Sequence, residues 1–265
     1  MNDLKIALIQ SLIGGGGGND MVFDSMLNHL SKNNDVTVFT FSKPLKTVNY
    51  KYKTIFPMRL PLFGIYQNLL INIKNLDKFD LIISLSTLFV KTKKPLIFYN
   101  QNIFYDKNQR PDKYNSLFWK IYYMPYDFIM RIKLLQAKNK PNLFVLNSSH
   151  FAKSNLDKIL DTNSTVLYPP VNLSETRIRE KENTIVSLGR FSQEKNFELG
   201  IKIMNDLGYK YKILGSTNTI TSQAYLQKLK EISKNNIEFI VNPTREIIME
   251  EISKAKIILG LSKET

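Results

Sequence analysis

Apolar residues in this chain arrive in short runs separated by segments with helical spacing. "KIALIQ" (5–10), "DVTVFTF" (35–41), "LIISLS" (81–86), "PLIFYN" (95–100) and "NLFVLN" (142–147) read as buried strands. "TVLYPPV" (165–171) reads as a strand that ends in two prolines. Between these runs, apolar residues recur every three or four positions from Met21 to Leu30 and from about Tyr114 to Ala137, the second stretch expected to bend at Pro125. "SSHFAKSNLDKIL" (148–160) opens on a serine N-cap signal. Short apolar strands alternating with helices imply a parallel sheet covered on both faces.

"YPPVNLSETRIREKEN" (168–183) interrupts the alternation with paired prolines and then charge. After it the pattern restarts. "TIVSLG", a helix over about 194–207, "YKYKIL", a helix over about 221–235, "IEFI", a helix over about 244–254 and "KIILGLS" follow in order. The expected organisation is α/β with two Rossmann-like parallel-sheet domains: 1–170, a linker 171–183, and 184–265 with only four strands.

Bulk properties remove several function classes. The 265 residues are 43% hydrophobic, enough for a sizeable core. Absence of cysteine excludes disulfides and thiolate metal sites, and two histidines, His29 and His150, argue against a His-based metal cluster. No run approaches the ~20 apolar residues of a spanning helix, and "MNDLKIALIQ" is not a signal peptide. A cytoplasmic protein is expected. Net charge is +14, and residues 91–140 hold eleven Lys/Arg against three acids amid many aromatics. Such an excess suits nucleic acid, an anionic membrane or anionic small substrates.

Two segments carry candidate chemistry. "IGGGGGND" (13–20) joins the first strand to the first helix, where Gly14, Gly15, Gly16, Gly17 and Gly18 would let backbone N–H groups approach a phosphate. It is neither a P-loop, lacking Gly-Lys-Ser/Thr, nor a dinucleotide fingerprint, lacking the sixth-position glycine and the acid after the second strand. "SLGRFSQEKNFELG" (187–200) sets Arg190 and Lys195 at a strand-to-helix turn, with the helix expected to begin near Gln193. Cations at a helix N-terminus oppose its dipole by ~0.3–1 kcal/mol each when exposed. Glu194 offsets part of that cost, and a strongly anionic ligand such as a diphosphate would offset the rest.

"SLGRFSQEKNFELGI" resembles the G-R-x-x-x-E-K-N segment of the retaining glycosyltransferases of family 4, which have the GT-B architecture. "GGGGGND", "LNSSHFAKSNL" and "VLYPPVNL" are similar to that family's glycine loop, N-S segment and interdomain strand, in the right order over nearly the whole chain. The last two, with "YNQNI" (99–103), look most like its lipid-linked oligosaccharide mannosyltransferases. The resemblance implies transfer of a sugar from a nucleotide-sugar to an acceptor hydroxyl with retention, without metal or other cofactor. Arg190 and Lys195 match the diphosphate-binding pair, and the donor would sit between the domains with the glycine loop facing it. Gln101 stands where the family commonly has an active-site His, and Glu264 matches the first acid of an E-x7-E segment whose second acid would lie past Thr265. The sequence therefore reads as a transferase truncated in its second domain.

The expected partners are a nucleotide-sugar donor, a lipid-linked or glycan acceptor and an anionic membrane surface. That surface would meet the cationic face of 113–140, with Trp119 or its tyrosines near the headgroups, and "RLPLFGIY" (59–66) as an exposed loop. Two alternatives stand beside the enzyme: an inactive relative kept as a binding protein, and a basic nucleic-acid-binding protein. No nucleic-acid motif supports the last.

Overall fold

The computed structural model describes residues 3–14, 17–58, 60, 63–101, 116–171, 179–217 and 220–262. Contacts divide the chain into two units, Met1–Pro170 and Val171–Thr265. In the first, strands β1 (Lys5–Gln10), β2 (Asp35–Thr40), β3 (Tyr52–Thr54), β4 (Leu81–Ser84), β5 (Leu96–Asn100), β6 (Leu143–Asn147) and β7 (Thr165–Val166) form one sheet in the order β3-β2-β1-β4-β5-β6-β7. Every pairing is parallel. Helices α1 (Gly18–Leu30), α2 (Gly64–Leu69), α3 (Leu117–Lys138) and α4 (His150–Leu160) complete the unit.

The continuous apolar runs have a direct cause in packing. Alternate residues of β1 enter opposite cores: Ala7 and Ile9 one, Ile6 and Leu8 the other. A strand covered on both faces has no polar side to display. Helix α4 starts where Ser149 Oγ accepts a hydrogen bond from the Ala152 N–H at 3.1 Å, the cap expected from the sequence. Helix α3 runs through Pro125 without interruption. Sequence reading passed over β3, α2 and the 3₁₀ turn at Leu76–Lys78, each too short to show a period.

The second unit alternates β8 (Glu182–Leu188), α5 (Phe197–Leu207), β9 (Lys210–Gly215), α6 (Ile220–Glu231), β10 (Ile237–Val241), α7 (Arg245–Lys254) and β11 (Ala255–Ile258). Its parallel sheet has the order β10-β9-β8-β11. Strand β8 starts at Glu182, so the last two residues of the expected linker are strand. Ile185, Tyr211 and Ile213 pack with Phe197 and Ile201 of α5 on one face, while Val186 and Leu214 enter the core on the other.

The turn before α5 corrects an expectation. Gln193–Lys195 form a 3₁₀ turn, and Asn196 lies in the left-handed region at φ 54°, so the helix begins at Phe197. Asn tolerates that conformation through local hydrogen bonding, and the kink ends any helical run from 193. Arg190 and Lys195 therefore sit on the loop that leads into the helix, ahead of its first turn.

Candidate functional site

Both sheets share a topological property. In the first, chain direction across the sheet reverses between β1 and β4; in the second, between β8 and β11. Loops leaving adjacent strands at such a point diverge to opposite faces and open a crevice at the strand C-termini. The glycine loop follows β1, and the Arg190–Lys195 loop follows β8. Each candidate phosphate-binding segment thus lies at the switch point of its own sheet.

At the first switch point Ser86 ties the two strand ends together. Its Oγ accepts from the Ser11 N–H at 2.7 Å and donates to Gln10 Oε1 at 3.1 Å. Gly14 has φ 85°, and a Cβ there would lie 2.8 Å from Lys46 Cγ. Gly17 precedes α1 at φ 108°, and among the described residues no side chain caps the helix and no atom lies within 4 Å of a Cβ added at Gly17 or Gly18. Backbone at the start of α1 is therefore open to approach. Gly15 and Gly16 lie outside the described residues.

At the other end of the sheet's C-terminal edge, the motif residues of "YNQNI" and "LNSSHFAKSNL" meet. Asn100 Nδ2 donates to Asn147 Oδ1 at 2.9 Å, and Asn147 Nδ2 donates to Ser164 Oγ at 2.6 Å. Ser164 Oγ donates to Asp157 Oδ1, which also accepts from the Ser164 N–H at 3.1 Å. Lys153 Nζ closes the row on Asp157 Oδ2 at 2.6 Å. Burial alone would raise the Asp157 carboxyl, but hydrogen bonds from Lys153 and Ser164 and the Lys153 charge hold it below its usual value. The row fixes the end of β5, from which Gln101 projects. Its Nε2 is buried and has no hydrogen-bond partner among the described residues. Such a group costs free energy until something accepts from it.

In the second unit, close packing explains the glycines around the cation pair. The Lys195 stem lies over Gly189, where a Cβ would come within 3.2 Å of Cγ and Cδ. A Cβ on Gly215 would be 2.5 Å from the Gly189 carbonyl oxygen. Lys195 Nζ donates to Ser262 Oγ at 3.4 Å, across the switch point. Arg190 Nη2 reaches Glu194 Oε1 at 3.1 Å, with the Arg190 side chain 74% exposed. Exposed pairs of this kind contribute about 0–1 kcal/mol, so a diphosphate can compete for the guanidinium. Burial would raise the Glu194 carboxyl; hydrogen bonds from Ser192 and from its own backbone, with Arg190 and Lys195 nearby, hold it low. Tyr211 Oη donates to Ser187 Oγ at 2.7 Å, and Ser187 Oγ donates to the Leu259 carbonyl at 2.6 Å. This stitch holds the segment after β11 against β8.

Arg190 and Lys195 are brought together in one loop of the second unit, while the glycine loop and Gln101 belong to the first. Glu264 lies outside the described residues. Ser11, Ser86 and Gln10 escaped sequence reading because Gln10 and Ser86 are 76 residues apart and no motif links them. Ser262 was legible only as part of "LGLSKET". Among the described residues, no group of three or more His, Cys, Asp or Glu gathers to hold a metal.

The apolar residues of α3 fall in two rows. Tyr122 and Tyr126 pack in a cluster with Tyr66 of α2, Tyr122 also meets Phe63, and Trp119 meets Tyr122 edge to face. Tyr66, Trp119, Tyr122 and Tyr126 are half-buried, while Phe63 is exposed. The exposed row is Leu117, Ile121, Met124, Phe128, Ile132 and Leu135, 41–72% accessible. In "RLPLFGIY", Arg59, Pro61 and Leu62 lie outside the described residues, Leu60 and Phe63 are exposed, and Gly64–Tyr66 are helical in α2. Among the described residues, no helix is long and apolar enough to cross a membrane.

No protein-family model matches the sequence. No curated protein matches it either. Solved structures do. OtsA in its apo form aligns at a TM-score of 0.62 over 98% of this chain and 78% of its own, with 12% identity. AviGT4, a glycosyltransferase involved in avilamycin A biosynthesis, aligns at 0.56 over 98% and 70%, with 14% identity. The lipopolysaccharide outer core galactosyltransferase WaaB, also apo, aligns at 0.55 over 98% and 74%, with 14% identity. At such identities the likeness is one of fold, and the fold is the GT-B arrangement of glycosyltransferases.

Proposed function

We propose that this chain is a GT-B glycosyltransferase that moves a sugar from a nucleotide-sugar donor to an acceptor hydroxyl with retention, as its resemblance to family 4 implies. The observation that carries the reading is the pairing of Arg190 and Lys195 in the loop at the β8/β11 switch point. As the glycosidic bond to the donor breaks, negative charge grows on the departing diphosphate. The guanidinium can fork two of its oxygens while the ammonium supplies a point charge. Both act most strongly as the charge develops, which is the condition for lowering the barrier. Gln101, whose buried amide nitrogen has no partner among the described residues, would donate to a hydroxyl of the sugar or acceptor. Open backbone at Gly17 and Gly18 would suit a close-lying donor.

The test is donor-dependent thermal stabilisation together with transfer assays across UDP- and GDP-sugars. One donor should raise Tm in the wild type. Arg190→Ala should abolish that shift and lower turnover by about 10²-fold. If no nucleotide-sugar shifts Tm, or Arg190→Ala responds like wild type, the reading is wrong.

The acceptor is read as lipid-linked, and the exposed row of α3 supports this. Six apolar side chains line one side of the helix over 117–135, about 27 Å at 1.5 Å per residue. On a helical projection Lys120, Arg131 and Lys138 fall along one flank of that row. A helix with this division lies in an interface, apolar row down and cations against anionic headgroups.

A further inference from the structure

Beyond the strand C-termini, the first unit carries a second cleft at the opposite end of its sheet. It has a volume of about 450 Å³. The segment joining β4 to β5 contributes Lys91 and Lys93, the last turns of α3 contribute Lys133 and Gln136, and Lys140 enters just before β6. All these positions precede strand N-termini, so β5 separates the cleft from Gln101 by about 17 Å at 3.3 Å per residue. Leu88, Phe89 and Val90 form a buried apolar floor.

Four lysines line this cleft against one carboxylate, Asp77. Among the described residues, no acid pairs with Lys91, Lys93 or Lys133. Elsewhere in the unit cations do find acids, as Lys138 finds Asp161 and Lys153 finds Asp157. Lys140 is half-buried and donates to the Val90 carbonyl, which anchors its ammonium at the floor. Gathering like charges around a concavity costs free energy unless an anion enters it.

We propose that this cleft binds a phosphate-bearing small molecule, with its phosphate among Lys91, Lys93, Lys133 and Lys140 and its apolar part on Leu88 and Val90. The volume is that of a small-molecule site. Burial lowers the ammonium of Lys133, as does the neighbouring Lys91 charge, and burial lowers that of Lys140. A bound anion would reverse both effects. A free phosphate ester and a phospholipid headgroup offer the same chemistry. This site stands independently of the transferase reading, because it uses no residue of either switch point.

The experiment uses the full chain carrying Arg190→Ala and Lys195→Ala, so that the second unit's cations do not contribute. Calorimetric titration with inorganic pyrophosphate should show one site that weakens as salt rises. Adding Lys91→Ala and Lys133→Ala should weaken it at least tenfold. Lys91→Glu/Lys93→Glu changes two exposed residues only and should do the same with the melting curve unchanged. Tighter binding of soluble dihexanoyl phosphatidic acid than of pyrophosphate would assign the site to a lipid headgroup; the reverse order would assign it to a free phosphate ester. Equal affinity in the lysine variants, or no binding of either probe, overturns the proposal.

Discussion

Asp157 shows how one side chain sets both stability and shape. Its carboxylate is 16% exposed and Lys153 is 24% exposed, so their pair is better shielded than a surface bridge. A carboxyl held low in the folded state stabilises the protein at pH values above its unfolded value near 3.9, and that stability is lost as pH falls through the folded value. Urea unfolding should therefore show stability falling in acid below about pH 4. Asp157→Asn should cost about 1–3 kcal/mol at pH 7 and show less of that acid dependence. An unchanged acid profile in the variant would mean the row contributes nothing. At this scale the sequence was legible where residue type dictates geometry. Ser149 announced its cap. Asn196 did not announce its left-handed turn, since nothing local distinguishes it from an ordinary helix residue.

Among the elements, α3 teaches the most about pattern and partner. The helix has two apolar faces, an aromatic one turned to α2 and a mainly aliphatic one, with Phe128, turned out. Periodicity alone cannot say which of two stripes is buried, because both satisfy the same spacing. The exposed row predicts a measurement. Sedimentation with vesicles rich in anionic lipid should carry down the wild type and lose it as salt rises. Ile121→Asp/Phe128→Asp should abolish this binding without lowering Tm, since both residues are more than half exposed. Lys120→Ala should weaken it by about fivefold, the effect of ~1 kcal/mol per basic residue. Sedimentation indifferent to lipid charge and to the aspartates would remove the membrane from the reading. Strands fared better than helices at this scale: β1, β2, β4 and β5 fall where their apolar runs do, because burial on both faces leaves no ambiguity, and β6 does too although Phe144 is exposed.

For the molecule as a whole, the α/β class and the GT-B arrangement were legible from alternation and motif order, and likeness to solved structures supports the same fold. Strand order was not, because pairing partners are chosen by packing that no single segment encodes. A net charge of +14 acts on the whole chain at once. Its self-repulsion opposes the compact state and is screened by salt. Raising sodium chloride from about 20 to 300 mM should increase stability by on the order of 1 kcal/mol, or about 2–4 °C in Tm. A flat or falling Tm would show that local pairs already neutralise the repulsion. Charge also gives direction to the row that links β5, β6 and the turn before β7. Asn100 gives a hydrogen to Asn147, Asn147 to Ser164, and Ser164 to Asp157, all toward the single anion. The row is thus a one-way chain, and its sense is dictated from an acid 57 positions further along the sequence than Asn100. Neutralise that acid and the two carboxamides have no reason to prefer one orientation, which would leave the strand end next to Gln101 with two faces to present where it now has one.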